Sequence, residues 1–183
     1  MRNHSLARVY SFDIQFTGSK RTSFYRELLG FSSRTTKTDK DGRTKTYIRD
    51  YSGLLTSIPH LHLGKSVIAA PAAAAPKLDA FFEDSRWHPV KLYTFDAVLP
   101  ARDRLRAMWE AFGRVRVQPD FTLDDELDSL HSLPSHSPSD SETLHRVRRA
   151  LRVAEELMEV DWSDGQAFSR ELENKLAPLR KRL

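Results

Sequence analysis

The residues best able to do chemistry in this 183-residue chain lie close together. The stretch SRTTKTDKDGRTKTYIRD, residues 33–50, carries Arg34, Lys37, Lys40, Arg43, Lys45 and Arg49 around a central Asp41-Gly42. Lys20 and Arg21 add two cations just upstream. Guanidinium and ammonium groups on one ribbon suit the phosphates of a nucleic acid, chiefly as backbone contacts with little base readout. Tyr47 and Tyr51 could stack on exposed bases, although sheet packing accounts for such tyrosines equally well. The plainer reading of the whole stretch is a charged ribbon that serves only solubility. The one carboxylate set apart is Asp13, in the pattern FDI. Two copies facing each other across a dimer axis could hold a divalent ion such as magnesium for phosphodiester cleavage. Alone, Asp13 reads as an exposed carboxylate bonded to nearby cations.

Other motifs carry less. LGKS at 63–66 lacks the first glycine of a phosphate loop and precedes a strand. A calcium loop around DKDG would place Lys37 and Ile48 at its obligatory acidic positions, so a hairpin turn is the better reading. His60 and His62 could supply half a metal site, but the chain has no Cys and no fixed acidic partner beside them. No nucleophile elbow or Ser-His-Asp pattern is visible, so an enzyme would have to assemble its site from distant residues.

Charge is unevenly spread. Residues 1–65 hold twelve Lys/Arg against five Asp/Glu, and residues 119–142 hold seven Asp/Glu and no Lys/Arg. A basic N-terminal third followed by an acidic strip suggests a polyanion surface and a segment that could screen it. Apolar residues make up 39% of the chain, which places part of it outside the core. The absence of Cys excludes disulfides and is compatible with a reducing, cytoplasmic setting. No segment approaches the roughly 20 apolar residues of a membrane span, and no signal peptide is expected at the N-terminus.

Several elements must position these residues. ARVYSFDIQF alternates, with Tyr10, Phe12, Ile14 and Phe16 on one face, and predicts a strand. GSKRTSFYRELLG predicts a helix capped by Ser19, with Phe24 and Leu28 on its apolar stripe and Gly30 at its end. Asp41-Gly42 predicts the turn of a hairpin. Residues 51–64 read as a loop, 65–70 as a strand, PAAAAPKLDAFFED as a helix and 89–99 as a strand. The order is the split βαβ, or ferredoxin-like, order: an α+β antiparallel sheet with helices on one face. A further helix begins at Pro100, and residues 114–118 add an edge strand. Residues 119–142 read as an acidic flexible linker, and two C-terminal helices as a hairpin with one apolar face. The expected division is therefore a domain over 1–118, a linker over 119–142 and a helical hairpin over 143–183.

YSFDI, SKRTSFYRELLGF and GKSVIAAP with KLDAFF resemble the small ferredoxin-like subunit of CRISPR spacer-acquisition complexes and related ferredoxin-fold ribonuclease and repressor domains. The resemblance covers about residues 7–98. It implies a dimeric, nucleic-acid-associated protein with Asp13 at the family's acidic position. Metal-dependent nuclease activity varies within such families. The chain departs from the pattern in its long hairpin, its 51–64 loop and its added C-terminal helices. The leading expectation is a nucleic-acid-binding protein, DNA or RNA, acting as a dimer or within a larger complex. The alternatives are a metal-dependent nuclease using Asp13 and a non-catalytic adaptor that docks through its C-terminal helices.

Overall fold

A computed structural model describes residues 5–133 and 140–183. The alternating segment forms β1 (Leu6–Ile14). Helix α1 (Gly18–Leu29) follows, with Thr17 rather than the expected Ser19 at its N-cap. Strands β2 (Phe31–Thr38) and β3 (Thr44–Tyr51) pair only with each other. Next come β4 (Leu61–Gly64), β5 (Val67–Pro71), α2 (Ala75–Glu83) and β6 (Val90–Val98). The C-terminal part comprises α3 (Ala101–Phe112), β7 (Arg116–Gln118), β8 (Phe121–Thr122), α4 (Leu123–His131), α5 (Ser141–Glu159) and α6 (Ala167–Arg180).

The main sheet has four strands in the order β4-β5-β1-β6, and every neighbouring pair is antiparallel. Its short edge strand β4 lies in the stretch read from sequence as a loop. The hairpin β2–β3 belongs to a separate two-stranded sheet and projects from the connection between α1 and β4.

Period-two alternation gives the main sheet two buried faces. Tyr10, Phe12 and Ile14 pack with Phe24 and Leu28 of α1, Leu78 and Phe82 of α2, and Trp87. Ala7, Val9, Leu61 and Ala69 lie in a second cluster with residues of α3, α4, α5 and α6. The second face is thus covered at its Ala7–Val9 end. Toward the other end, and along the edge strand β6, it is bare: Asp13 is exposed, Tyr93 is 68% exposed, and Phe95, opposite Val9, is 54% exposed.

The acidic strip is not wholly a linker. Leu123, Leu127 and Leu130 of α4 are buried, and Thr122 and Asp125 cap the helix reciprocally. The local signals were TLDD, a capping box, and leucines spaced four and three apart. The seven acidic residues and the Ser/Pro content outweighed them in the sequence reading. Residues 134–139 of the expected linker lie outside the described residues. The two C-terminal helices share a core with the sheet, so they are no free appendage.

Three charged side chains buried in this helical half, Glu126, Arg104 and Asp161, are held by hydrogen-bond partners. Glu126 is fully buried and accepts two bonds from the Arg146 guanidinium, each 3.0 Å. Arg104 of α3 donates to the Leu99 carbonyl at 2.9 Å, the Trp162 carbonyl at 2.6 Å and Asp164 at 2.7 Å. Asp161 accepts four bonds, from the backbone and hydroxyl of Ser163 and of Ser169, which closes the turn between α5 and α6. No helix among the described residues is long and apolar enough to cross a membrane.

Candidate nucleic-acid interface

The β2–β3 arm is set by its turn. The Asp39 carboxylate accepts from the backbone N–H groups of Asp41 and Arg43 at 3.0 and 2.8 Å. Gly42 takes the left-handed conformation, φ +77°, that this reversal requires. The last rung of the ladder is Thr38↔Thr44, followed by Lys37↔Lys45, Thr35↔Tyr47 and Ser33↔Arg49. Directly opposed residues share a face. Lys37, Lys45, Tyr47 and Arg49 therefore share one face, Arg34 and Ile48 share the other, and Lys40 and Arg43 sit in the tip. Every residue from 34 to 51 is exposed, and none of these six cations makes an ion pair among the described residues. Lys37 directly opposite Lys45 is a like-charge rung, which weakens the ladder that contains it.

The root of the arm is rigid. Phe31 and Tyr51 stack with ring centres 4.5 Å apart, and Arg26 of α1 lies over Phe31 at 4.5 Å. The two strands leave the body where Gly30 and Gly53 meet backbone to backbone: a Cβ on Gly53 would sit 2.1 Å from the Gly30 nitrogen. Asp50 bonds the Ser32 hydroxyl and, at 2.8 Å, Arg116 of β7. The arm is thereby fastened to the helical half. A cavity of about 420 Å³ lies at this junction, lined by Phe31, Asp50, Tyr51, Arg114, Arg116 and their neighbours.

The remaining sequence-predicted residues do not join the arm. The Lys20 ammonium donates to the His88 carbonyl at 2.7 Å and lies over the Phe16 ring, so it ties α1 to the segment before β6. Arg21 lies over Tyr25. Both sit at the N-terminal end of α1, roughly 15 Å by helical rise from the arm root at Gly30. Asp13 is exposed on the bare end of the sheet, opposite Lys91, and accepts a bond from the Gln15 amide at 2.5 Å. No group of three or more His, Cys, Asp or Glu side chains that could hold a metal occurs among the described residues. His60 is buried against the Ile58 carbonyl at 2.8 Å. Burial pushes its pKa down to about 4, with Arg114 and His62 adding smaller effects in the same direction. It is a neutral core histidine.

Sequence reasoning missed two features. One is the outward face of α5, where His145, Arg148, Arg149 and Arg152 line an open hollow of about 330 Å³. Their spacing of three, one and three puts all four on one face, opposite Val147, Leu151 and Ala154. The signal was present as HRVRRALR, but it was read only for its apolar stripe. The other is Arg114 at the root of the arm, which had no recognisable motif. Compared with family models, curated proteins and solved structures, the chain finds no match.

Proposed function

We propose that this protein binds nucleic acid, with the β2–β3 arm as its principal contact. Lys37, Lys45 and Arg49 on one face, with Lys40 and Arg43 at the tip, contact phosphates, and Tyr47 between them stacks on an unpaired base. The observation that carries this reading is the Lys37↔Lys45 rung on an arm of unpaired, exposed cations. An arm shaped only by stability would alternate the signs of its charges across the ladder. The exposed Tyr47 ring among these cations favours a single strand, whose unpaired bases can stack on it.

The sheet order β4-β5-β1-β6, with α1 and α2 on one face, supports a ferredoxin-like core in which the arm is an insertion. The free outer edge of β6, carrying Tyr93 and Phe95, is the surface on which a dimer would form. Light scattering of the full chain tests that state: a monomer at all concentrations removes the dimer from the proposal.

Binding is tested by titrating labelled single- and double-stranded DNA and RNA at several salt concentrations. About four phosphate contacts give a slope of log affinity on log salt near −3 for a single strand. Replacing Lys37, Lys40, Arg43 and Lys45 together by Ala should flatten that slope and leave the thermal melt in place. Salt-independent binding, or no binding to any nucleic acid, overturns the reading.

A further inference from the structure

Arg114 follows Gly113 at the end of α3, and it is one of the residues that line the 420 Å³ cavity at the arm root. It is half-buried and has no acidic partner. Glu110, one helical turn back, makes its ion pair with Arg106 instead. The three guanidinium nitrogens have different surroundings. Nε is buried with no hydrogen-bond partner. Nη2 lies 3.4 Å from His60 Nδ1, a neutral ring nitrogen already directed at the Ile58 carbonyl. Nη1 makes no bond within the protein and is not among the buried, unpartnered atoms, so it keeps some exposure to solvent. Burial lowers the Arg114 pKa, an effect that Glu110 opposes only in part. The buried charges of this half all have partners: Arg104 has Asp164, Glu126 has Arg146, and Asp161 has four N–H and O–H donors. A desolvated guanidinium left without a counter-charge carries a penalty that an anion in the cavity would remove.

The rest of the wall defines the anion. Asp50 is already neutralised by Arg116 at 2.8 Å, so the free charge of the lining is that of Arg114. The Phe31–Tyr51 stack borders the same space; Tyr51 is 42% exposed, and the exposed Arg49 guanidinium that lies over its ring at 5.6 Å would give way to a base. Thr56 also lines it, and its hydroxyl, which accepts from the Gly53 N–H, still has a proton to donate; the Thr122 hydroxyl is committed to Asp125 at 2.7 Å. One unmatched cation, a hydroxyl donor and a part-exposed aromatic ring are the complement of a phosphate attached to a planar base.

We propose that the cavity between the arm root and the start of β7 is a nucleotide-phosphate site, with Arg114 holding the phosphate and Tyr51 stacking on the base. The inference deepens the nucleic-acid reading: a strand lying along the arm would end or bend into this cavity. A terminal or backbone phosphate and a free nucleotide share this chemistry, and the test separates them.

The full chain is titrated by calorimetry with AMP, with inorganic phosphate, and with a short oligonucleotide bearing either a 5′-phosphate or a 5′-hydroxyl. AMP is expected to bind at one site per chain, at least tenfold more tightly than inorganic phosphate. Arg114→Met should weaken AMP binding about tenfold or more, the loss expected for a charge-assisted pair. The same substitution should raise the melting temperature of the unliganded protein, because it removes an unmatched charge. An arginine with a purely structural role would lower it. Tyr51→Ala, at an exposed position, should weaken AMP binding and leave phosphate binding unchanged. A 5′-phosphate that tightens oligonucleotide binding by a factor lost in Arg114→Met assigns the site to strand ends, an equal weakening of both oligonucleotides by Arg114→Met assigns it to backbone phosphate, and AMP binding weakened with neither oligonucleotide affected assigns it to free nucleotide. The arm variant with four alanines should keep its AMP affinity, so failure of this site and failure of the arm reading are distinguishable. No AMP or phosphate binding at about 10 mM overturns the proposal. Unchanged AMP affinity in Arg114→Met, or AMP binding lost in the arm variant, overturns it equally.

Discussion

The helical half and the arm handle charge in opposite ways. In the helical half, Glu126, Arg104 and Asp161 are buried, and each is matched by partners at hydrogen-bond distance. In the arm, Lys37, Lys45 and Arg49 stand in water, and two of them face each other across a rung. A buried pair fixes geometry, because losing one member strands the other in a medium of low polarity. An exposed, unmatched cation fixes nothing and is free for a ligand. The difference separates residues that hold the fold from residues available for function, without reference to any motif.

The comparison can be broken first at Glu126. Glu126→Ala leaves the Arg146 guanidinium unmatched and should cost about 4 kcal/mol of unfolding free energy in urea. A loss below about 1 kcal/mol would place this pair with the surface ion pairs and dissolve the contrast. The next test is at the arm root. Gly53→Ala forces a Cβ into the Gly30 backbone and should cost about 3 kcal/mol or detach the arm. Hydrogen exchange tells the two apart, because detachment exposes the amides of 31–51 and spares β1.

A third test uses a group that is buried without being charged. The folded-state pKa of His60 is about 4, below its ordinary value. Between about pH 6.5 and 4 the unfolded chain therefore holds a proton that the native state does not. Stability is complete above pH 6.5 and falls on acidification, by about 3 kcal/mol at pH 4. His60→Leu should remove that part of the acid slope, and a variant with the wild-type slope would show His60 to be ionised in the fold. The smallest effect is the most pointed. Lys37→Glu converts the like-charge rung into an opposite-charge one and should stabilise the arm by about 0.5 kcal/mol, while nucleic-acid affinity falls. An arm that loses stability on this change was not strained by Lys37↔Lys45.

Much of this was legible in the sequence. The alternation of Tyr10, Phe12 and Ile14 located β1 and its core face, and Asp41-Gly42 located the arm. The register of the arm was not legible. A two-residue turn at Asp41-Gly42 would pair Lys40 with Arg43 and Lys37 with Thr46. The Asp39 carboxylate instead closes a longer loop that begins at residue 39 and pairs Lys37 with Lys45. That one-residue difference decides which cations share a face. β4 escaped notice because four residues, LHLG, carry too little alternation to signal a strand. Arg114 was invisible for a different reason: nothing local marks a cation whose distinction is a missing partner.

The crossing of Gly30 and Gly53 has a consequence for how the chain tolerates change in length. Exit and re-entry of the arm meet at one point of the backbone, so residues 31–52 form a closed excursion from the body. Excising them leaves only a short gap between α1 and the segment that leads to β4. Within the excursion, length is governed by parity. Adding one residue to each strand lengthens the ladder by one rung and turns every cation beyond it to the opposite side relative to the root, whereas adding two to each restores the original side. Arms of different length that keep Lys37, Lys45 and Arg49 on the same side as Tyr51 would therefore differ by two residues per strand, or four in total, in a series that single insertions cannot enter.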